Sequence, residues 1–125
     1  MQGYNIRYYA IGHSFLLHGH FDGWQIVGEW GMAASTPKND YFHKIQKGLT
    51  ECLPCKLSVG LDNYFELESA CAENTTNEDY INLAKTKKLI EDLNELKPNV
   101  VTVLIGENIR TDDENALEMF YDFFV

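Results

Sequence analysis

Residues 99–105, NVVTVLI, form an apolar run held between Pro98 and Gly106. The run is too short for a buried helix and rich in β-branched residues, so it reads as a strand covered on both faces, the environment of a parallel sheet. The flanking segments carry the connections such a sheet needs. From about Glu78 to Leu96, Tyr80, Ile81, Leu83, Ala84, Leu89, Ile90, Leu93 and Leu96 fall on one side and Lys and Glu on the other, which predicts one amphipathic helix ended by Pro98. After Gly106, TDDENALEMFYDFFV predicts a helix capped by Thr111 or Asp112, with acids in its first turn.

The same alternation extends back to the N-terminus. NIRYYAI predicts a strand of five or six residues that stops at Gly12, and KNDYFHKIQKGLTECL a helix capped by Asn39 or Asp40. KLSVGL then reads as a short strand, YFELESACA as a turn or brief helix, and ENTTNED as a loop. Between His13 and Pro37 the glycines at 19, 23, 28 and 31, with Trp24 and Trp30, predict a long structured loop, and long loops in compact domains usually carry function. Strand, helix, strand, helix, strand, helix is the order of a parallel sheet with helices on its faces, and the expectation is one α/β unit over residues 1–125.

Composition narrows the partners. A chain of 125 residues with 45% apolar content is one domain with a real core. No apolar run nears the ~20 residues that span a bilayer, and MQGYNIR lacks the greasy segment of a secretion signal, so no membrane association and a cytoplasmic location are expected if Met1 is the native start. The net charge of −9, with no basic cluster, argues against nucleic acid. Cys52, Cys55 and Cys71 include one C-x-x-C, but the pair closes a helix where a redox pair opens one, and no second ligand pair completes a zinc shell. Small buried thiols are the expectation, and no metal or organic cofactor is called for.

In a parallel sheet functional groups collect at the carboxyl ends of the strands. Three segments meet there: GHSF after the first strand, GLDNYFE after the second and GENIRTDD after the third. Taken singly, a Gly-x-Ser after a strand is more often a turn or helix cap than a nucleophile. Trp24, Trp30, Tyr64 and Phe65 read either as an aromatic wall for a sugar or as loop-anchoring core, with core favoured. Glu66 and Glu68, and the KTKK run at Lys85 to Lys88, read as solvated.

The joint pattern resembles the SGNH hydrolases, the GDSL-type esterases and acylhydrolases. GHS, Gly12 to Ser14, stands where that family has its first block, and GEN, Gly106 to Asn108, where it has a G-x-N block after the third strand. EWGMAASTPKNDYFHKI is similar to a bacterial subgroup carrying W-G-M-A-A-S and D-Y before its first long helix. The resemblance covers nearly the whole chain. It implies a three-layer α/β/α flavodoxin-like fold of which this chain supplies the first three parallel strands. It also implies Ser14 as nucleophile, the Asn108 amide as oxyanion donor, and a backbone N–H at Asn63 as a further donor. His13, Trp30 and Gly31 become substrate contacts, and the substrate class is a small ester or the O-acyl group of a carbohydrate.

Two departures accompany it. Asn63 stands where the family has glycine in its second block, with Gly60 three residues earlier. No D-x-x-H block follows Asn108, and the four histidines, at 13, 18, 20 and 43, lie in the first third. His13 sits beside the nucleophile, where adjacent side chains point apart, which makes it a poor base; His18 or His20 could reach back from the loop. The chain therefore reads as the N-terminal portion of a longer hydrolase, inactive by itself. The alternative is a non-catalytic α/β binding or assembly module, which self-associates through an exposed third strand and C-terminal helix or has them covered by a partner. A flavodoxin-like nucleotide binder is weaker, because no loop has a glycine-rich phosphate cradle.

Overall fold

The structure, a computed structural model, describes residues 3–13, 16, 30–31, 34–71, 76–109 and 114–124. Ser14, His18, His20, Trp24 and the expected caps Thr111 and Asp112 lie outside them. Among the described residues three strands, β1 (Tyr4–Gly12), β2 (Cys55–Asn63) and β3 (Val100–Leu104), alternate with five α-helices: α1 (Tyr41–Cys52), α2 (Phe65–Ser69), α3 (Asn77–Asn82), α4 (Ala84–Leu96) and α5 (Glu114–Phe124). The sheet is open and parallel in the order β2-β1-β3, as a flavodoxin-like α/β fold begins. Among the described residues no helix is long and apolar enough to cross a membrane.

β1 is the central strand, and its alternation assigns the layers. Ile6, Tyr8 and Ala10 point to one face, where Phe42 of α1 buries itself among them with its ring stacked on Tyr8 at 5.4 Å. Tyr9 and Ile11 point to the other, against Leu67 of α2, Tyr80 of α3, Leu89 of α4 and Ala116 of α5. The tyrosine hydroxyls find partners at the rim of each core, as buried phenols require. Tyr8 shares a 2.8 Å bond with Thr102 of β3. Tyr9 donates to Asp92 of α4 at 2.7 Å and is hydrogen-bonded to Tyr64.

Asp40 caps α1, accepting the His43 N–H at 2.8 Å, while Thr76 and Asp79 close a reciprocal capping box on α3. The single helix expected over residues 78–96 is instead two. Leu83 takes an extended conformation between them, and the Thr86 hydroxyl, fully buried, donates to the Tyr80 carbonyl across the break. The break lets Tyr80 and Leu89 reach the same core from different directions. It also corrects the reading of KTKK as a solvated face: Lys85 and Lys88 reach Asp62 at 2.9 and 3.3 Å, and only Lys87 of the four is exposed without a described ion pair.

β3 is not covered on both faces as its sequence implies. Val101 and Val103 are exposed on the Tyr9 side and Leu104 on the Tyr8 side, because no described strand lies beyond β3 and the helices pack over β1. Of the cysteines, all free, only Cys71 is buried; Cys52, at the end of α1, is exposed. Tyr64 is core and Phe65 exposed, so these two neighbours make no common aromatic wall.

Two glycines separate crowding from conformational freedom. A Cβ on Gly60 of β2 would lie 2.8 and 2.9 Å from ring carbons of Tyr9, whereas one on Gly48 of α1 would meet nothing within 4 Å. We therefore expect Gly60→Ala to lower stability by about 1–3 kcal/mol through overpacking. Gly48→Ala should raise it by about 0.5–1 kcal/mol, the helix-interior difference between these residues. Urea midpoints of the two variants should move in opposite directions.

Candidate functional site at the carboxyl ends of the strands

The strand register sets Gly12 of β1 beside Asn63 of β2 and Leu104 of β3, so the three exit segments emerge together. Tyr64 N–H donates to the Gly12 carbonyl at 2.7 Å, continuing the sheet one residue past β2. Gly12 is tightly enclosed: a Cβ there would lie 2.7 Å from Leu16 Cβ and 3.0 Å from the Tyr41 hydroxyl.

The first and third exits are joined directly. His13, buried, is hydrogen-bonded through Nε2 to the exposed carboxylate of Glu107 at 2.6 Å. Glu107 titrates below the ordinary carboxylate range, chiefly because a backbone N–H of its own residue bonds it; partial burial acts the other way and His13 adds to the lowering.

A second link runs from α2 to the same turn. Glu68 is only 1% exposed. Its Oε1 accepts the Gly106 N–H and the Asn108 N–H, the latter at 3.1 Å, and its Oε2 accepts Nδ2 of Asn108 at 2.8 Å. The turn needs Gly106 because its φ is +132°, which L side chains rarely adopt. Glu68 is thus no solvated carboxylate, contrary to the sequence reading, while Glu66 is exposed as expected. α2 delivers it: the helix begins right after β2, Leu67 is held in the core, and the Tyr80 hydroxyl donates to the Leu67 carbonyl.

The remaining predicted positions are spread more widely. The Asn63 backbone N–H donates to the Asp62 carboxylate at 2.7 Å, and the Asn63 side-chain carbonyl accepts from Phe65 N–H at 2.9 Å. That N–H is engaged, and Asp62 would have to release it before it could serve a ligand. Trp30 and Gly31 belong to a turn docked on the start of α1. Trp30 Nε1 donates to the Ala34 carbonyl at 3.0 Å, and Gly31 N–H points to Asp40 at 3.4 Å.

Asp40 to His43 spells D-x-x-H, with His43 Nδ1 2.8 Å from both Asp40 oxygens. This has the connectivity of a carboxylate-oriented base but not its place. Residues two apart on a helix project in nearly opposite directions, and Tyr41 is the one whose hydroxyl lies against Gly12. His43 accordingly faces outward, its side chain 44% exposed. The pair caps α1.

Two more groups complete the site. The Tyr41 hydroxyl is buried with no hydrogen-bond partner among the described residues, and its titration is pushed up by burial and then by Tyr8, Asp40 and Glu107. His13, Glu68 and Glu107 offer ligand atoms within 4.8 Å of one another. Three of the roughly four lone-pair positions of Glu68 are already taken by the turn, so this trio is better satisfied as an internal clamp than as a cation cage. A cleft of about 420 Å³ opens elsewhere, between mid-β2 and α4 beside Val59, Gly60, Asp92 and Glu95, away from the strand ends.

Sequence reasoning placed Glu107 in this region as part of GEN without giving it a partner, and missed Glu68 and Tyr41 as members of it. The first and third blocks carry His13 and Glu107 at positions that become neighbours once the strands pair side by side. Nothing local marks Glu68, because its partners are about forty residues away. Comparison with protein-family models, with curated proteins and with solved structures returns no match.

Asp62 gives the region an acid-sensitive support. Burial alone would raise its titration, but the hydrogen bond from Lys85, the Asn63 N–H and the Lys88 ammonium outweigh it, and the net shift is below the ordinary 3.8. A lowered folded-state value means the unfolded chain binds more protons in this range. The contribution is therefore complete above 3.8 and is lost as pH falls through the folded value. Urea midpoints measured from about pH 5 down to pH 2 should fall, and Asp62→Asn should flatten that limb while lowering stability near pH 7.

Proposed function

We propose that the chain carries the nucleophile and oxyanion elements of a serine ester hydrolase of the SGNH type, acting on small esters or O-acyl groups of carbohydrates. The observation that carries this reading is the His13–Glu107 bond, which joins the GHS and GEN turns at the carboxyl ends of adjacent parallel strands. In the proposed reaction the Ser14 hydroxyl attacks the acyl carbonyl, a base takes its proton, and the alcohol leaves as the acyl-enzyme forms. Asn108 suits the oxyanion because its amide donates without bringing charge.

No general base for Ser14 is found among the described residues. No histidine follows Asn108, and His43 faces away from Gly12. A serine without its base loses several orders of magnitude, with a remnant left to the oxyanion donors and binding.

A second reading, a non-catalytic binding or assembly module, draws on the exposed apolar residues Val101, Val103 and Leu104 of β3 and Leu117 and Tyr121 of α5. The module reading predicts self-association or a partner over β3 and α5, and a well-folded monomer by light scattering with no exposed apolar surface by dye binding counts against it.

For the esterase reading, the chain alone should hydrolyse p-nitrophenyl acetate little faster than its Ser14→Ala variant. Added imidazole, a diffusible base, should open a gap between the two. Asn108→Ala should shrink the Ser14-dependent part about 100-fold or more, the usual effect of removing an oxyanion donor. Equal rates for wild type and Ser14→Ala at every imidazole concentration would remove the esterase assignment.

A further inference from the structure

We propose that Glu68 is a positioning residue, whose carboxylate fixes the Asn108 side-chain amide with one Nδ2 hydrogen tied inward and the other presented at the crevice. The purpose of that second hydrogen, donation to an oxyanion, rests on the esterase reading; the orientation itself does not.

The argument begins with what Glu68 does beyond closing a turn. Holding the Gly106–Ile109 turn requires only the two backbone N–H groups that Oε1 accepts. The third bond, from Nδ2 to Oε2 at 2.8 Å, adds nothing to the backbone and acts on the side chain alone. Both Glu68 oxygens face N–H donors, Oε1 the two backbone groups and Oε2 the amide, so the NH₂ end of Asn108 faces Glu68 and turning it over would set two acceptor oxygens against each other. Of the two hydrogens on Nδ2, one is consumed. The second lies in the amide plane, on an exposed residue at the strand ends.

Burial makes the hold firm. Glu68 is almost wholly removed from water, and in that low-dielectric setting a hydrogen bond is electrostatically stronger than in water. α2 fixes the carboxylate in turn, because Leu67 beside it is locked in the core. An oxyanion donor is effective in proportion to how little it must reorganise when charge develops, and a free exposed asparagine would have to be ordered each time.

The amide signals of the intact 125-residue chain test this without any catalysis. In a ¹⁵N-labelled sample the two Asn108 Nδ2 protons, assigned by their loss in Asn108→Ala, should be split more widely than those of Asn94, an exposed asparagine on α4. In Glu68→Gln the side-chain oxygen stays on the two backbone N–H groups that Oε1 accepts, two fixed donors against one, and the NH₂ takes the Oε2 place. The Asn108 splitting should then collapse to the Asn94 value while the backbone amides of β1 stay in place.

A Glu68 that served only to close the turn would shift the Gly106 and Asn108 backbone signals and leave the Nδ2 pair untouched. An Asn108 pair split no more than that of Asn94 in the wild-type chain, or one unchanged in Glu68→Gln, overturns the proposal. The wild-type spectrum decides even if the variant does not fold. The esterase reading stands or falls separately, on the Ser14-dependent hydrolysis.

Discussion

The pairing of β1 on both edges is the constraint from which the rest of the molecule follows. A strand hydrogen-bonded to β2 on one side and β3 on the other has no edge to show to water, and parallel neighbours leave both faces to be covered by crossover helices. Tyr8, Tyr9 and Ala10 are accordingly buried without alternation, two successive tyrosines serving opposite cores. The same pairing delivers Gly12, Asn63 and Leu104 to one level, so that His13 and Glu107 can meet although about ninety residues separate them. Glu68 and Asn108 depend on it as well, since α2 and the GEN turn start from strand ends that β1 aligns.

Much of this was legible in the residues. The strands and most helices were, because period and apolar run length are local properties: NVVTVLI could hardly be anything but a strand, and Asp40 announced the start of α1. The division into α3 and α4 was not, because the apolar stripe continues through Leu83 and the break is enforced by tertiary contacts of Tyr80, Thr86 and Leu89. The apolar run of β3 reads alike whether or not its cover is present, and its exposure was anticipated only in the alternative reading of the chain as a self-associating module.

The site divides similarly. The blocks GHS and GEN were visible as strand-end motifs, while the bond between His13 and Glu107 emerges only from the structure. Glu68 looked like any acidic residue on a short helix. Its burial is a fact about α2 leaning over the exit of β3, and sequence spacing does not encode which carboxylate of FELES turns inward. The D-x-x-H at Asp40 to His43 shows the opposite hazard, a motif correct in letters and in bonding that helix geometry turns away from the strand ends.

The parallel register of β1 also governs how the chain is made. Tyr4 to Gly12 find their first partners only in residues 55–63 and their second only in residues 100–104, so nothing local rewards the strand when it leaves the ribosome. During synthesis Ile6, Tyr8, Tyr9, Ala10 and Ile11 form a bare apolar segment that must wait for β2 before one edge is satisfied, and for β3 before both are. Folding of the sheet is thereby postponed until β3 has been made, and the strand buried between the two layers is the stretch that a nascent-chain chaperone would hold longest.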